Sequence, residues 1–339
     1  MTRATAASLA RGCAFAALAI GFPFVIHAAW IVNIGVLTAM YAALATAWNL
    51  FSGYTGYISL GQVAFFGLGA YTLGIAFEHV GVGSGWNPFW ALPLVGIAVA
   101  TASLPVAWIA LRTRHMTFAI VTLTLLFVVQ QLAFNLHSLT HGSSGLMLPT
   151  PSFGVDNYDR PFYLAMVAIL LLGVALCRLV LRSKLGLMLL SIREDEEKAR
   201  GLGVRVTGAK LTAWWLSIAL TAMAGGVWAY YLTFIYPESS VDPLVMIGAV
   251  LMTFLGGRGT VWGPALGALV LVPAQQYMLT RLGASELYLV GYAAVFMVVL
   301  LLLPRGIIPS LRDVAARLRE RQRTRRSRPA PLERKAATG

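Results

Sequence analysis

The sequence predicts an all-α polytopic membrane protein, on three observations. Of its 339 residues, 58% are hydrophobic and 12% charged, against about 25% charged in a soluble domain. A soluble globule of this size has too little interior to hide so much apolar surface. The apolar residues also fall into runs of about 20, the length that crosses a hydrocarbon core. Finally, the basic residues sort to one side of those runs.

The runs suggest about ten spans, some broken or short: roughly 10–28, 30–51, 58–77, 89–111, 115–136, 161–181, 211–235, 244–256, 261–280 and 286–303. The first follows Arg3 and Arg11, a start that also fits a cleaved signal peptide. With both termini cytoplasmic, the inner segments are 1–9, 52–57, 112–114, 182–210, 257–260 and 304–339. Of 26 Lys and Arg, only Arg160 and Arg281 then face outward, while Glu78, Asp156, Asp159, Glu238, Asp242 and Glu286 all do. That asymmetry is the positive-inside pattern. The segment 244–256 is too short for a straight spanning helix, so it reads as broken or re-entrant.

The domain plan is a transmembrane unit over 1–303 and a basic cytoplasmic tail over 304–339, partly disordered. The tail holds eleven basic and three acidic residues, including RERQRTRRSR at Arg319–Arg328. Such a run can bind nucleic acid. Attached to a set of spans, it reads instead as an anchor for membrane lipids, at about 1 kcal/mol per basic residue near anionic headgroups. Cys13 and Cys177 lie far apart in apolar runs and read as small core residues.

Three glycine-bearing motifs interrupt the apolar pattern. GYTGYISLGQVAFFGLGAY, Gly53–Tyr71, mixes five glycines with Thr55, Ser59 and Gln62. Glycines permit close helix packing, and irregular backbone at membrane depth is tolerated where it lines a wet cavity. Both readings stand, and the second makes Tyr57, Ser59, Gln62 and Phe65 candidate substrate-path residues. LGGRGTVWGPALGA, Leu255–Ala268, is a second interrupted span, as in transporters whose broken helices form the site. LTHGSSGLMLPTP, Leu139–Pro151, lies in an outer loop over 137–160, and loops that long are often functional.

The segment 182–210, RSKLGLMLLSIREDEEKARGLGVRVTGAK, is the one long charged stretch between spans, with seven basic and four acidic residues. Ser191 is expected to cap a short helix over Glu194–Arg200 that Gly201 and Gly203 terminate. All its acids are expected to face solvent, so reversing Glu194, Glu196 and Glu197 to Lys should spare the fold.

Catalytic chemistry finds no foothold. No span carries a charge near its centre, where proton relays place one. There is no phosphate-binding loop and no metal-ligand spacing of His and Cys. Asn49, Gln130, Gln131 and Asn135 read as interhelical hydrogen-bonding groups.

These motifs, taken in order from about Trp30 to Pro309, closely resemble the LivM-type permeases of branched-chain amino-acid ABC importers. The resemblance implies a non-enzymatic permease subunit in the bacterial inner membrane, moving branched-chain or related amino acids inward by alternating access. It implies a LivH-like permease partner, two cytoplasmic ATPase subunits that bind the ATP, a periplasmic substrate-binding protein, and no cofactor held by this chain. It also implies that the charged loop is the coupling element, with Arg193, Glu194, Glu196, Glu197, Lys198, Arg200, Gly201 and Gly203 meeting the ATPase. Gln62 stands where a His is common in the family, and Leu187 where an Arg is common. A urea or short-amide permease of the same family, a secondary transporter, and a membrane enzyme or scaffold are the alternatives.

Overall fold

The computed structural model describes residues 17, 19–24, 28–154, 157–282, 291, 293–294, 297 and 306–310. The expected spans 10–28 and 286–303 lie mostly outside them, as do Cys13, Asp156, Glu286 and nearly all of the basic tail. Within the described residues the chain is almost wholly helical. Seven helical stretches are long and apolar enough to cross a membrane: Trp30–Gly53, Gln62–Val80, Asn87–Ala110, His115–Asn135, Asp159–Arg182, Val206–Leu232 and Pro237–Gly256. They match the second to eighth expected spans. The ninth, 261–280, is also a helix, Gly263–Leu282.

Helix α1 (Ala29–Trp48) runs into a buried π-helical turn, Asn49–Gly53. Within this turn the Asn49 side chain donates to the Thr260 carbonyl at 2.9 Å and accepts from the Gly259 N–H at 2.8 Å. A polar side chain reaching across to another element is a common origin of such a bulge. It ties the turn that leads into the first glycine motif to the second motif. After the irregular segment 54–61 come α2 (Gln62–Val80), which ends at a left-handed Gly81, and α3 (Asn87–Ala110), opened by Pro88 in its first turn. Helix α4 covers His115–Asn135.

The outer loop is more ordered than a plain connection. A helical turn α5 (His137–Thr140) and a 3-10 turn lead to strand β1 (Leu146–Met147). It pairs antiparallel with β2 (Phe234–Ile235), Leu146 facing Ile235. Next come α6 (Asp159–Arg182), α7 (Lys184–Glu194), α8 (Glu196–Gly201) and α9 (Val206–Leu232). The short α10 (Pro237–Ser240) and α11 (Pro243–Gly256) follow, then α12 (Gly263–Leu282). At 14 residues, α11 is about 21 Å long, short of the ~30 Å hydrocarbon core. The turn of α10 extends it to Pro237–Gly256, with a break at 241–242 just before the expected segment, whose residues 244–256 lie in one unbroken helix.

Small residues set the helix spacing. A methyl group at Gly69 would stand 2.1 Å from the Ala222 carbonyl oxygen, and one at Gly225 only 1.9 Å from that of Phe66. So α2 and α9 touch backbone to backbone, which is the packing reading of the first motif. Helix α9 also packs on α3, and α1 on α6 and α12. Asn135 bonds the Gln131 carbonyl within its own helix rather than across helices. Cys177 is buried, its thiol 3.9 Å from the Thr46 carbonyl.

The connecting segments gather at two ends. Segments 52–57, 112–114, 182–210 and 257–260 meet at one end, through bonds from Arg193 to the Gly53 carbonyl, Arg258 to the Ser52 carbonyl and Arg114 to Glu197. The loops around Gly85, His141 and Phe234 meet at the other, through Glu78–His141, Tyr230–Gly85 and the β1–β2 pair. This sorting is the one the charge pattern predicts.

Candidate functional site

The basic end is built around α7 and α8. Ser191 does not cap a helix over Glu194–Arg200. Its hydroxyl bonds the Met188 carbonyl inside α7. The chain extends at Asp195 (φ −161°, ψ 108°), whose carboxylate accepts from the N–H groups of Glu197 and Lys198 and so caps α8. Asp is a better N-cap than a residue already inside a turn of helix. Donation from the Lys198 backbone, then from its ammonium, holds the Asp195 carboxyl below its usual value. Gly201 closes α8, and Gly203 beyond it takes a left-handed φ of +84°.

The eight expected coupling residues divide. Arg193, Glu194, Glu197, Lys198 and Arg200 are exposed on this element. Arg193 also reaches inward to the Gly53 carbonyl at 3.0 Å. Glu197 pairs with Arg114 at 2.8 Å, tying α8 to the start of α4. Glu196 is different. Its side chain is only 11% exposed and lies 2.6 Å from the ammonium of Lys210, itself 1% exposed. The Tyr57 hydroxyl donates to the same carboxylate oxygen, and Arg200 donates to the other at 3.2 Å.

The expectation that every acid of the loop faces solvent therefore fails at Glu196, and charge reversal there is now expected to cost the fold. The α8 cap turns this one carboxylate under the helix, beside buried Ala199. Burial pushes the Glu196 carboxyl up, but donation from Lys210 and Tyr57 outweighs it and holds the group below the usual carboxylate value. Burial, then the neighbouring carboxylate, pushes the Tyr57 phenol up, so it remains a donor.

The four expected path residues also divide. Tyr57 belongs to this charged cluster. Its ring lies 3.8 Å beneath the Lys210 ammonium, stacks on His115 at 5.0 Å and meets Phe118 edge-on at 5.5 Å. Ser59 and Gln62 are deeper and buried. The Gln62 amide donates to Ser217 at 2.8 Å and Thr221 at 2.6 Å on α9. Its carbonyl oxygen, and the Ser59 hydroxyl, have no partner among the described residues. Buried polar atoms left so are uncommon and costly, and Thr46, Tyr54, Tyr71 and Arg258 also carry one. Phe65 borders a cavity of about 280 Å³ with Leu68, Thr72 and Val99, and its ring meets Trp214 at 5.5 Å.

Sequence reasoning missed Lys210. It was legible only as the last basic residue of the loop, although it lies in the second turn of an apolar helix. At the opposite end a groove of about 420 Å³ is lined by Glu78, His141, Ser144, Met147 and Phe234. The loop over 137–160 thus lines this groove.

The family model described as branched-chain amino acid transport system / permease component matches residues 30–303. The high-affinity branched-chain amino acid transport system permease protein LivM of Salmonella typhimurium is 31% identical over 323 residues, 87% of this chain and 73% of the relative. LivM of Escherichia coli K12 matches to the same extent. The permease protein LivH of the same organism is 24% identical over 289 residues, 80% of this chain and 92% of the relative. No solved structure matches the chain.

Proposed function

This chain belongs to the branched-chain amino acid transport permease family, and from that premise we propose that it is the LivM-type permease subunit of an ATP-driven importer. It is a multi-pass protein of the bacterial inner membrane and performs no bond chemistry itself. Its solute is a branched-chain or related amino acid, and it works beside a LivH-like permease. Two cytoplasmic ATPases bind the ATP, so no cofactor is held by this chain. A periplasmic binding protein delivers solute to the groove beside His141 and Met147, and the basic tail attaches to anionic lipid.

One observation carries the reading. The α7–α8 element stands at the basic end with Glu194, Glu197, Lys198 and Arg200 exposed, yet it is bonded to the irregular segment 53–57 through Arg193 and Glu196. A short charged element with one free face and one anchored face suits an ATPase contact. The solute path then runs past Ser59, Gln62 and Phe65, where an apolar wall with a few polar atoms suits an amino acid with an aliphatic side chain. Gln62 fixes preference, and Tyr57 stands at the cytoplasmic end of that path.

Uptake into vesicles carrying the full complex tests this. It should require ATP and continue when the proton gradient is collapsed. Uptake that ignores ATP and stops with the gradient would make the chain a secondary transporter.

A further inference from the structure

We infer that Glu196, Lys210 and Tyr57 form a latch that shuts the cytoplasmic end of the solute path and is released when α8 moves. The inference rests on the reading that α7–α8 meets the ATPase.

Two groups converge on one carboxylate oxygen. Lys210 approaches the Glu196 Oε2 at 2.6 Å, the Tyr57 hydroxyl donates to it, and the Lys210 ammonium also sits 3.8 Å over the Tyr57 ring. The members come from three separate pieces of chain: α8, the second turn of α9, and the irregular segment before α2. Moving α8 outward by a few ångströms must break both bonds to Glu196 together.

The same element grips the Tyr57 segment at a second point. Arg193 donates to the Gly53 carbonyl at 3.0 Å. A methyl group at Gly56 would stand 3.2 Å from the Arg193 Cγ, and Gly56 has φ +83°. So a residue with free access to the left-handed region sits directly before the ring, where the segment can swing.

Behind Tyr57 lies a closed aromatic file. Tyr57 meets Phe118 at 5.5 Å, Phe118 meets Trp214 at 6.1 Å, and Trp214 meets Phe65 at 5.5 Å. Phe65 is within one turn of Gln62, so the file spans from the charged cluster to the unpartnered polar atoms. Tyr57 is its outermost member on the cytoplasmic side. Holding Tyr57 holds the file shut.

The chemistry of the joint suits a device with two positions. A buried ion pair gives no more stability than apolar side chains of equal volume, but losing one partner is costly. Shut, the two charges satisfy each other. Open, both gain water. Either end state is satisfied and the half-broken state is not, which is what a bistable contact needs. Tyr57 and Lys210 are positioning residues, acting on the path through the ring and the carboxylate.

The test uses the reconstituted complex of both permeases and both ATPases in liposomes, preloaded with a labelled mixture of leucine, isoleucine and valine. Efflux without ATP is recorded for the parent, for Tyr57→Phe, which keeps the ring and loses the hydroxyl, and for Lys210→Met. Capture of the ATPase by each variant is measured alongside. Removing one charge-assisted hydrogen bond from the shut state should raise efflux about tenfold, with ATPase capture kept. Lys210→Arg should stay nearer the parent. Parental efflux from both Tyr57→Phe and Lys210→Met overturns the latch, as does loss of ATPase capture by them, which would place these groups at the partner contact instead. The underlying reading fails separately, if Glu194→Lys with Glu197→Lys captures the ATPase as the parent does.

Discussion

Removing either member of the Glu196–Lys210 pair should destabilise the protein, and unequally. Lys210 is 1% exposed and has Glu196 at 2.6 Å and the Tyr57 ring at 3.8 Å. Glu196→Leu therefore leaves an ammonium with no counter-charge in contact, at a cost of about 4 kcal/mol. Lys210→Met is milder. Glu196 is 11% exposed and still accepts from Tyr57 and from Arg200 at 3.2 Å, so about 2 kcal/mol is expected. The double substitution replaces the pair with apolar volume and should cost less than the sum, with a coupling of about 2–3 kcal/mol. Unfolding in mixed detergent, followed by the fluorescence of tryptophans such as buried Trp214, gives all three values. Single variants within about 0.5 kcal/mol of the parent, or effects that simply add, would refute the assignment of a buried, mutually dependent pair.

Other expectations follow from the same geometry. Gly225→Ala sets a methyl 1.9 Å from the Phe66 carbonyl oxygen and should cost about 2 kcal/mol or more. Gly208→Ala, also in α9 but with nothing near, should be neutral or stabilising by up to about 1 kcal/mol; melting of the two variants separates these outcomes. Asp195→Ala should loosen α8, read as faster amide exchange in 196–201 at neutral pH. Because the folded Asp195 carboxyl is held below its ordinary value, the cap is fully formed at neutral pH and is lost as pH falls through that lowered value. Corrected for the intrinsic slowing of exchange at lower pH, protection of the α8 amides should fall more on acidification in the parent than in Asp195→Ala. Cysteines at Ser144 and Ser239, both exposed, should react with an impermeant thiol reagent outside intact cells, and one at exposed Ser183 should not.

Local pattern was enough to locate the second to ninth expected spans. His115–Asn135 falls within a residue of the span read from hydropathy alone, because lipid leaves the backbone no alternative to a helix. The pairing of ends was also legible, since charge asymmetry is a local property of each loop. The inner face of α8 was not. Four acids in a row resemble a uniformly solvated edge, and the bend at Asp195 that turns Glu196 inward depends on a cap only the backbone reveals. The Glu196 partner Tyr57 lies 139 residues away, beyond any spacing argument. The glycine motif read equally as packing or path. Gly69 proves to be packing, against a residue of α9 that no motif singled out, while Gln62 and Ser59 keep unpartnered atoms among the described residues.

On the proposed function, the exposed face of α7–α8 passes work from an ATPase to this chain. The direct measurement is ATPase capture, together with solute-stimulated ATP hydrolysis, by the variant Glu194→Lys with Glu197→Lys, Glu196 being left intact. Both residues are exposed, and the Glu197–Arg114 contact is a solvent-screened exposed pair that contributes little, so membrane insertion and folding should be retained. Capture and stimulation are expected to fall about tenfold or more, as opposed charges at a docking face become like charges. Parental levels of both, from a protein that is inserted and folded, would contradict the account.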